Sequence, residues 1–360
     1  MKPASVKAFL ALTLLVLTGC GGDSVISVPP VPAQSFVYVG NFSDRTIEVF
    51  SVKDISETLA PVQAFSVATP PVALASHASG KFLYYTDSLQ VFALSVGADG
   101  KLASIGSPLD AGVGCVSLER VGNFVYAGCS MRIAAYKIKA DGTLSTVAGS
   151  PFLFPLATKT MSVDPNGKAL FVVDNGGTVS GYLRSFTLNV STGAVTPGSG
   201  DQIFGNAILT SSSIDSTGTH LFVVSSSTLG GPVGDVLNEY SIGPDASLTF
   251  IPSLALEWTP DQIAPSPSDS VLYISYQVNP RIQSYTIDSN WLVRKTSYSQ
   301  AVPLPPFRMK VDASGKLLVA ALNGNQGVMV FPVDSSGNIS PSMGTFLQGK
   351  TVYAIESLMR

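Results

Sequence analysis

Few side chains in this sequence are equipped for chemistry. Charged residues make up 12% of the 360, about half of the roughly 25% usual in a soluble domain. Two histidines, His77 and His220, and three cysteines, Cys20, Cys115 and Cys129, complete the reactive set. Arg308, in Phe307-Arg308-Met309-Lys310, is the foremost candidate for binding a ligand. A guanidinium grips a carboxylate or phosphate through a planar fork of N–H donors. Glu257 and Asp261 flank Trp258, and such carboxylates accept sugar hydroxyls or take a proton from water. Arg281 and Asp174 are the other candidate ligand-binding residues. The sequence designates no catalytic residue.

Several chemistries are excluded. There is no CxxC and no Cys/His cluster with zinc spacing, so no metal is expected. GxSxG, HExxH and EF-hand patterns are absent. The Gly-rich loop Ser225–Asp235 lacks the GK[ST] of a phosphate loop, and Gly176-Gly177 reads as a turn rather than a dinucleotide fingerprint. No cofactor is expected on these grounds. A formal net charge of −3 with no basic run excludes nucleic acid as a partner.

The N-terminus reads as an address. Lys2 and Lys7 precede the apolar run Ala8–Leu17, which leads into Leu17-Thr18-Gly19-Cys20. A basic start, a short apolar stretch and small residues describe a secretory signal, and the run is too short to span a bilayer. LTGC resembles the lipobox of bacterial lipoproteins. That resemblance implies a signal peptide over 1–19, lipidation of Cys20 and attachment to a membrane in the cell envelope. With Gly21 after the cysteine, it implies the outer membrane if the source is Gram-negative. Residues 20–35, with Pro29, Pro30 and Pro32, read as a tether.

The elements that position the candidates come from repeats. FVYV at 36–39 has relatives at 82–85, 124–127, 170–173, 221–224, 271–274 and 317–320. Their third residues are Tyr38, Tyr84, Tyr126, Val172, Val223, Tyr273 and Val319. An aromatic–x–aliphatic unit follows each, from Phe50-Val52 to Phe331-Val333. Turn residues such as Asp164-Pro165-Asn166-Gly167 and Asp312-Ala313-Ser314-Gly315 fall in step, and Gly and Asp suit the backbone of tight turns. Four short strands per unit predict an all-β fold, a seven-bladed β-propeller over 36–358 with four-stranded blades. The first unit lacks an innermost strand, and Thr351–Leu358 is a spare one. The C-terminal strand is therefore expected to complete the first blade, removing two free edges.

In the third unit, a hairpin turning about Gly122 sets Cys115 directly opposite Cys129. In an oxidising compartment such a pair forms a cross-strand disulfide; the alternative is two buried free thiols. The functional face is expected where two loop sets meet. Loops between second and third strands carry Asp44, Arg45, Asp87, Arg132, Asp174, Asp235 and Arg281. Loops leading into the inner strands carry Lys159, Glu257, Trp258, Asp261, Arg308 and Lys310.

The units ADGKLASIGSPL (98–109), ADGTLSTVAGSPF (140–152) and DPNGKALFVVDN (164–175) resemble the lactonase family of seven-bladed propellers, which includes 6-phosphogluconolactonase. The resemblance implies lactone opening at the mouth of the axial channel by His, Arg and acidic side chains. Here the histidine is missing: His77 sits in an inner hairpin turn and His220 begins a blade strand. Two functions follow. The first is a lipid-anchored binding propeller that presents its loops to an envelope protein or a carbohydrate. The second is a lactone hydrolase. Convergence of Arg308 and an acid in an axial pocket would favour the hydrolase, and a flat loop face the binding module.

Overall fold

The computed structural model describes residues 35–52, 59–174, 180–227 and 235–359. The leader, the lipidation site Cys20, the tether up to residue 34, Gly176-Gly177 and most of the Ser225–Asp235 loop lie outside the described residues. Among the described residues no helix is long and apolar enough to cross a membrane.

Four-stranded antiparallel sheets follow one another along the chain, seven in all among the described residues. The third and fourth share Phe152–Val163, whose first half is the outer strand of one blade and whose second half is the inner strand of the next. Each inner strand touches the inner strand of the following blade, and the circle closes from Pro306–Val311 through Val352–Met359 to Ala73–Ser76. The closing contact is the expected one: Val352–Met359 pairs along the whole of Ser35–Asn41. The first blade thus takes its inner strand from the C-terminal end and its other three from the N-terminal part.

Radial stacking explains the unbroken apolar runs. Second strands such as Phe82–Thr86, Ala169–Asp174 and Leu317–Leu322 are buried nearly throughout, because both faces of each blade meet a neighbour. A recurrent bond locks adjacent blades. The hydroxyls of Tyr38, Tyr84 and Tyr273 donate to the carbonyls of Gly100, Gly142 and Gly337 in the next blade's outer hairpin, at 3.1, 3.1 and 2.9 Å. Glycine is required at Gly142, where φ is +83° and a Cβ would lie 2.2 Å from the Phe82 ring. The inner hairpins are tied by their first residue. Asp164 accepts the N–H groups of Asn166 and Lys168, and Asp312 those of Lys316 and Leu317. His77 takes the same place, its Nδ1 accepting Ser79 N–H at 3.2 Å.

Two details of the sequence frame are corrected. Asp164 and Asp215 bond back to Ala169 and His220, as His77 does to Phe82. Phe171 and Phe222, not Val172 and Val223, therefore align with Tyr84; runs of uniform apolar residues hide a one-residue shift. In the third blade Val121 pairs with Phe124 and Ser117 with Gly128, so the turn is the two-residue Gly122-Asn123 and the regular register does not set Cys115 against Cys129. The chain leaves that register before Ser117, where Cys115 N–H bonds to Ser88 O, and the two cysteines are joined by a disulfide.

One buried acid works against the fold. Glu239 is 4% exposed, its Oε1 has no hydrogen-bond partner, and burial pushes its pKa up to about 7. In the unfolded chain a glutamate titrates near 4.3, so the folded state holds its proton more tightly. Stability is then highest below that value and falls as pH rises through about 7. Glu239→Gln should raise stability by about 1–3 kcal/mol at pH 8, with the gain fading by pH 4. Thermal or denaturant unfolding at the two pH values measures this.

Candidate functional site

Seven inner strands with mostly small side chains leave a cavity of about 540 Å³ on the propeller axis, well within the range of small-molecule sites. Register places one residue of each inner strand at a common level. Glu356, Ala75, Glu119, Ser162, Ser213, Ala264 and Lys310 stand opposite Tyr38, Tyr84, Tyr126, Phe171, Phe222, Tyr273 and Val319. Three of these seven are charged, in a chain where charge is scarce. Lys310 and Glu356, on neighbouring blades, form an ion pair at 3.4 Å. Glu119 lines the same cavity, and its carboxyl makes no hydrogen bond or ion pair with another described residue.

Arg308 lies two residues nearer the loop face. Its Nη2 donates to Val116 O at 3.3 Å, reaching from the seventh blade across the axis to the third. The guanidinium also lies over the Phe307 ring at 5.1 Å. Arg308 therefore forms a bar across the channel. From this bar the cavity runs towards the inner hairpins, whose Ser216, Pro267, Asp269 and Ala313 line its far end. This is the face opposite the one that the loop sets had singled out.

Serines and an amide form the other wall. Ser162 and Ser212 share a hydrogen bond at 2.8 Å, and Thr160, Ser211 and Gln262 continue the polar surface. Such groups can meet hydroxyls of a ligand as donors or acceptors.

Enclosure shapes the titration of the charged groups. Burial pushes Glu119 up to about 7; Lys310, Arg308 and Arg120 oppose that rise and Glu356 adds to it. Glu356 raises Lys310 above the ordinary lysine range. Burial lowers Arg308, against the pull of Glu119 and Asp261. Beyond the bar, burial raises Asp261, which Lys159 opposes, and burial lowers Lys159.

The five sequence candidates are divided by the structure. Arg308 lines the cavity, and Asp261 acts on it electrostatically from the loop side. Glu257 pairs with Lys295 of an outer strand. Arg281 lies over the Trp258 ring at 4.5 Å, while Trp258 packs on a blade core; Glu257 and Asp261 thus face different surroundings. Asp174 accepts Ala157 N–H at 2.9 Å and lies 3.7 Å from Arg184. His220 stacks on Trp291 with ring centres 3.8 Å apart, and neither histidine lines the cavity. Glu119 and Glu356 were missed. The available signal was their position: aligned by strand register, Glu119, Lys310 and Glu356 fall at one level of three inner strands.

The fold is similar to that of solved lactonase-like propellers. Solved structures carry that comparison. A putative 6-phosphogluconolactonase from Bacteroides fragilis superposes with a TM-score of 0.71 at 17% identity, over 90% of this chain and 98% of that one. A second, from Bacteroides uniformis, gives 0.74 at 16% identity, over 90% and 99%. The periplasmic gluconolactonase of Pseudomonas aeruginosa gives 0.72 at 12% identity, over 90% and 99%. No family model matches the sequence, and no curated protein does.

Proposed function

We propose that this protein is a lactone hydrolase whose site is the axial cavity between Arg308 and the ring of Glu119, Lys310 and Glu356. The observation that carries this reading is that the Arg308 guanidinium and the Glu119 carboxyl, which pairs with no other described residue, line one axial cavity of ligand size. The solved lactonase-like neighbours support it by fold.

The chemistry requires a base and a charge acceptor. Glu119, ionised, takes a proton from water as the oxygen adds to the lactone carbonyl carbon. The N–H groups of Arg308 stabilise the resulting oxyanion. Collapse breaks the ring C–O bond, the ring oxygen takes the proton back from Glu119, which regenerates the carboxylate, and a hydroxy acid leaves. Burial of the carboxyl near neutrality suits a general base. Glucono-1,5-lactone should be opened by the purified chain faster than in buffer, with kcat/KM rising with pH through about 7. Arg308→Ala and Glu119→Gln should each lower kcat/KM by about 100-fold or more. Equal rates with and without protein would overturn the reading.

We also propose that the protein is exported, cleaved before Cys20 and anchored by lipid in the envelope. Mass spectrometry of the mature N-terminus should find a diacylglyceryl cysteine at Cys20, and Cys20→Ala should release the protein from the membrane fraction. An unmodified Cys20 would contradict this.

A further inference from the structure

The charge balance of the cavity bears on which lactones it takes. Besides Tyr353, the titratable side chains that line it are the acids Glu119, Asp269 and Glu356 and the bases Arg308 and Lys310. Each base faces an acid, as does Arg120 beside the cavity, which donates to Ser76 O and is acted on by Glu356 and Glu119. Lys310 is ion-paired with Glu356 and is also acted on by Glu119. Arg308 spends one N–H on Val116 O and lies under the influence of Glu119 on one side and Asp261 on the other. Lys159, beyond the bar, faces Asp261. Asp269, at the hairpin end, accepts Ser216 N–H at 2.9 Å and adds a further negative charge where the cavity opens. The opposite wall supplies hydroxyls and an amide, which carry no charge.

A phosphate monoester carries close to two negative charges at neutral pH. Binding it needs cations in excess of the resident anions, or a cluster of free N–H donors. Resting on the lactonase reading, we infer that this cavity selects lactones without a phosphate group, with Glu356 as the specificity-determining residue that neutralises Lys310. An unphosphorylated sugar lactone brings no charge and meets the serine wall with its hydroxyls. A phosphorylated one brings its phosphate to a pocket whose lining cations do not outnumber its acids.

The test compares glucono-1,5-lactone with its 6-phosphate on the full chain and on Glu356→Gln. The wild type should favour the unphosphorylated lactone in kcat/KM by about tenfold or more. Glu356→Gln leaves Lys310 unpaired and should shift that ratio towards the phosphorylated lactone by about tenfold, whatever it does to the absolute rates. A wild-type preference for the phosphorylated lactone would overturn the inference while leaving the lactonase reading intact. So would an unchanged ratio in a folded Glu356→Gln. If the wild type opens neither, the lactonase reading fails, and calorimetry with D-gluconate and 6-phospho-D-gluconate decides the inference alone. Tighter binding of gluconate supports it; tighter binding of the phosphorylated acid, or of neither, overturns it.

Discussion

Every blade of this protein has two apolar faces, and neither can be left in water. That constraint is met by packing each sheet between two others, and a row of such sheets has exposed ends unless it closes on itself. The pairing of Val352–Met359 with Ser35–Asn41 makes the closure. It joins segments more than 300 residues apart in a single ladder. The tyrosine hydroxyls that reach glycine carbonyls in the next blade then fix the spacing between neighbours.

Closure also makes the channel, since the inner strands stand side by side around an axis that their side chains do not fill. The chemistry of the interior follows from which side chains those strands carry. On the fourth to sixth blades they are serines, threonine and glutamine; on the seventh, first and third they are Arg308, Lys310, Glu356 and Glu119. The spare C-terminal strand therefore does two things. It seals the ring, and it brings Glu356 beside Lys310. Arg308 links opposite sides through Val116, one residue from the Cys115–Cys129 disulfide, so the bar across the channel ends on a covalently braced segment.

Much of the architecture is legible in the sequence because it rests on repetition. The apolar second strands, the Asp–x–x–Gly hairpins and the orphan C-terminal strand each leave a periodic trace. The one-residue shift at Phe171 and Phe222 shows where that trace ends: in LFVV every residue is apolar, and only the hairpin bonds fix which one faces which. The site was harder to read. Arg308 stands out by its residue type among small neighbours, but Glu257 and Arg281 are charges near loops, and exposure alone does not bring such residues together. Glu119 is followed by Arg120 and Glu356 by Ser357, so neither stands out within its strand, and their meeting with Lys310 depends on ring geometry that no local pattern states. The face on which the cavity opens was likewise set by the inner hairpins rather than by the longer loops.

On the lactonase reading, the axial cavity is the place where ligand meets Arg308 and Glu119. A crystal structure of the chain soaked with D-gluconate tests this most directly. The acid should lie on the axis, its carboxylate at the Arg308 guanidinium and its hydroxyls against the wall that holds Ser162 and Ser212. Ligand bound instead on the loop face around Trp258 and Arg281, with the axis empty, would contradict it.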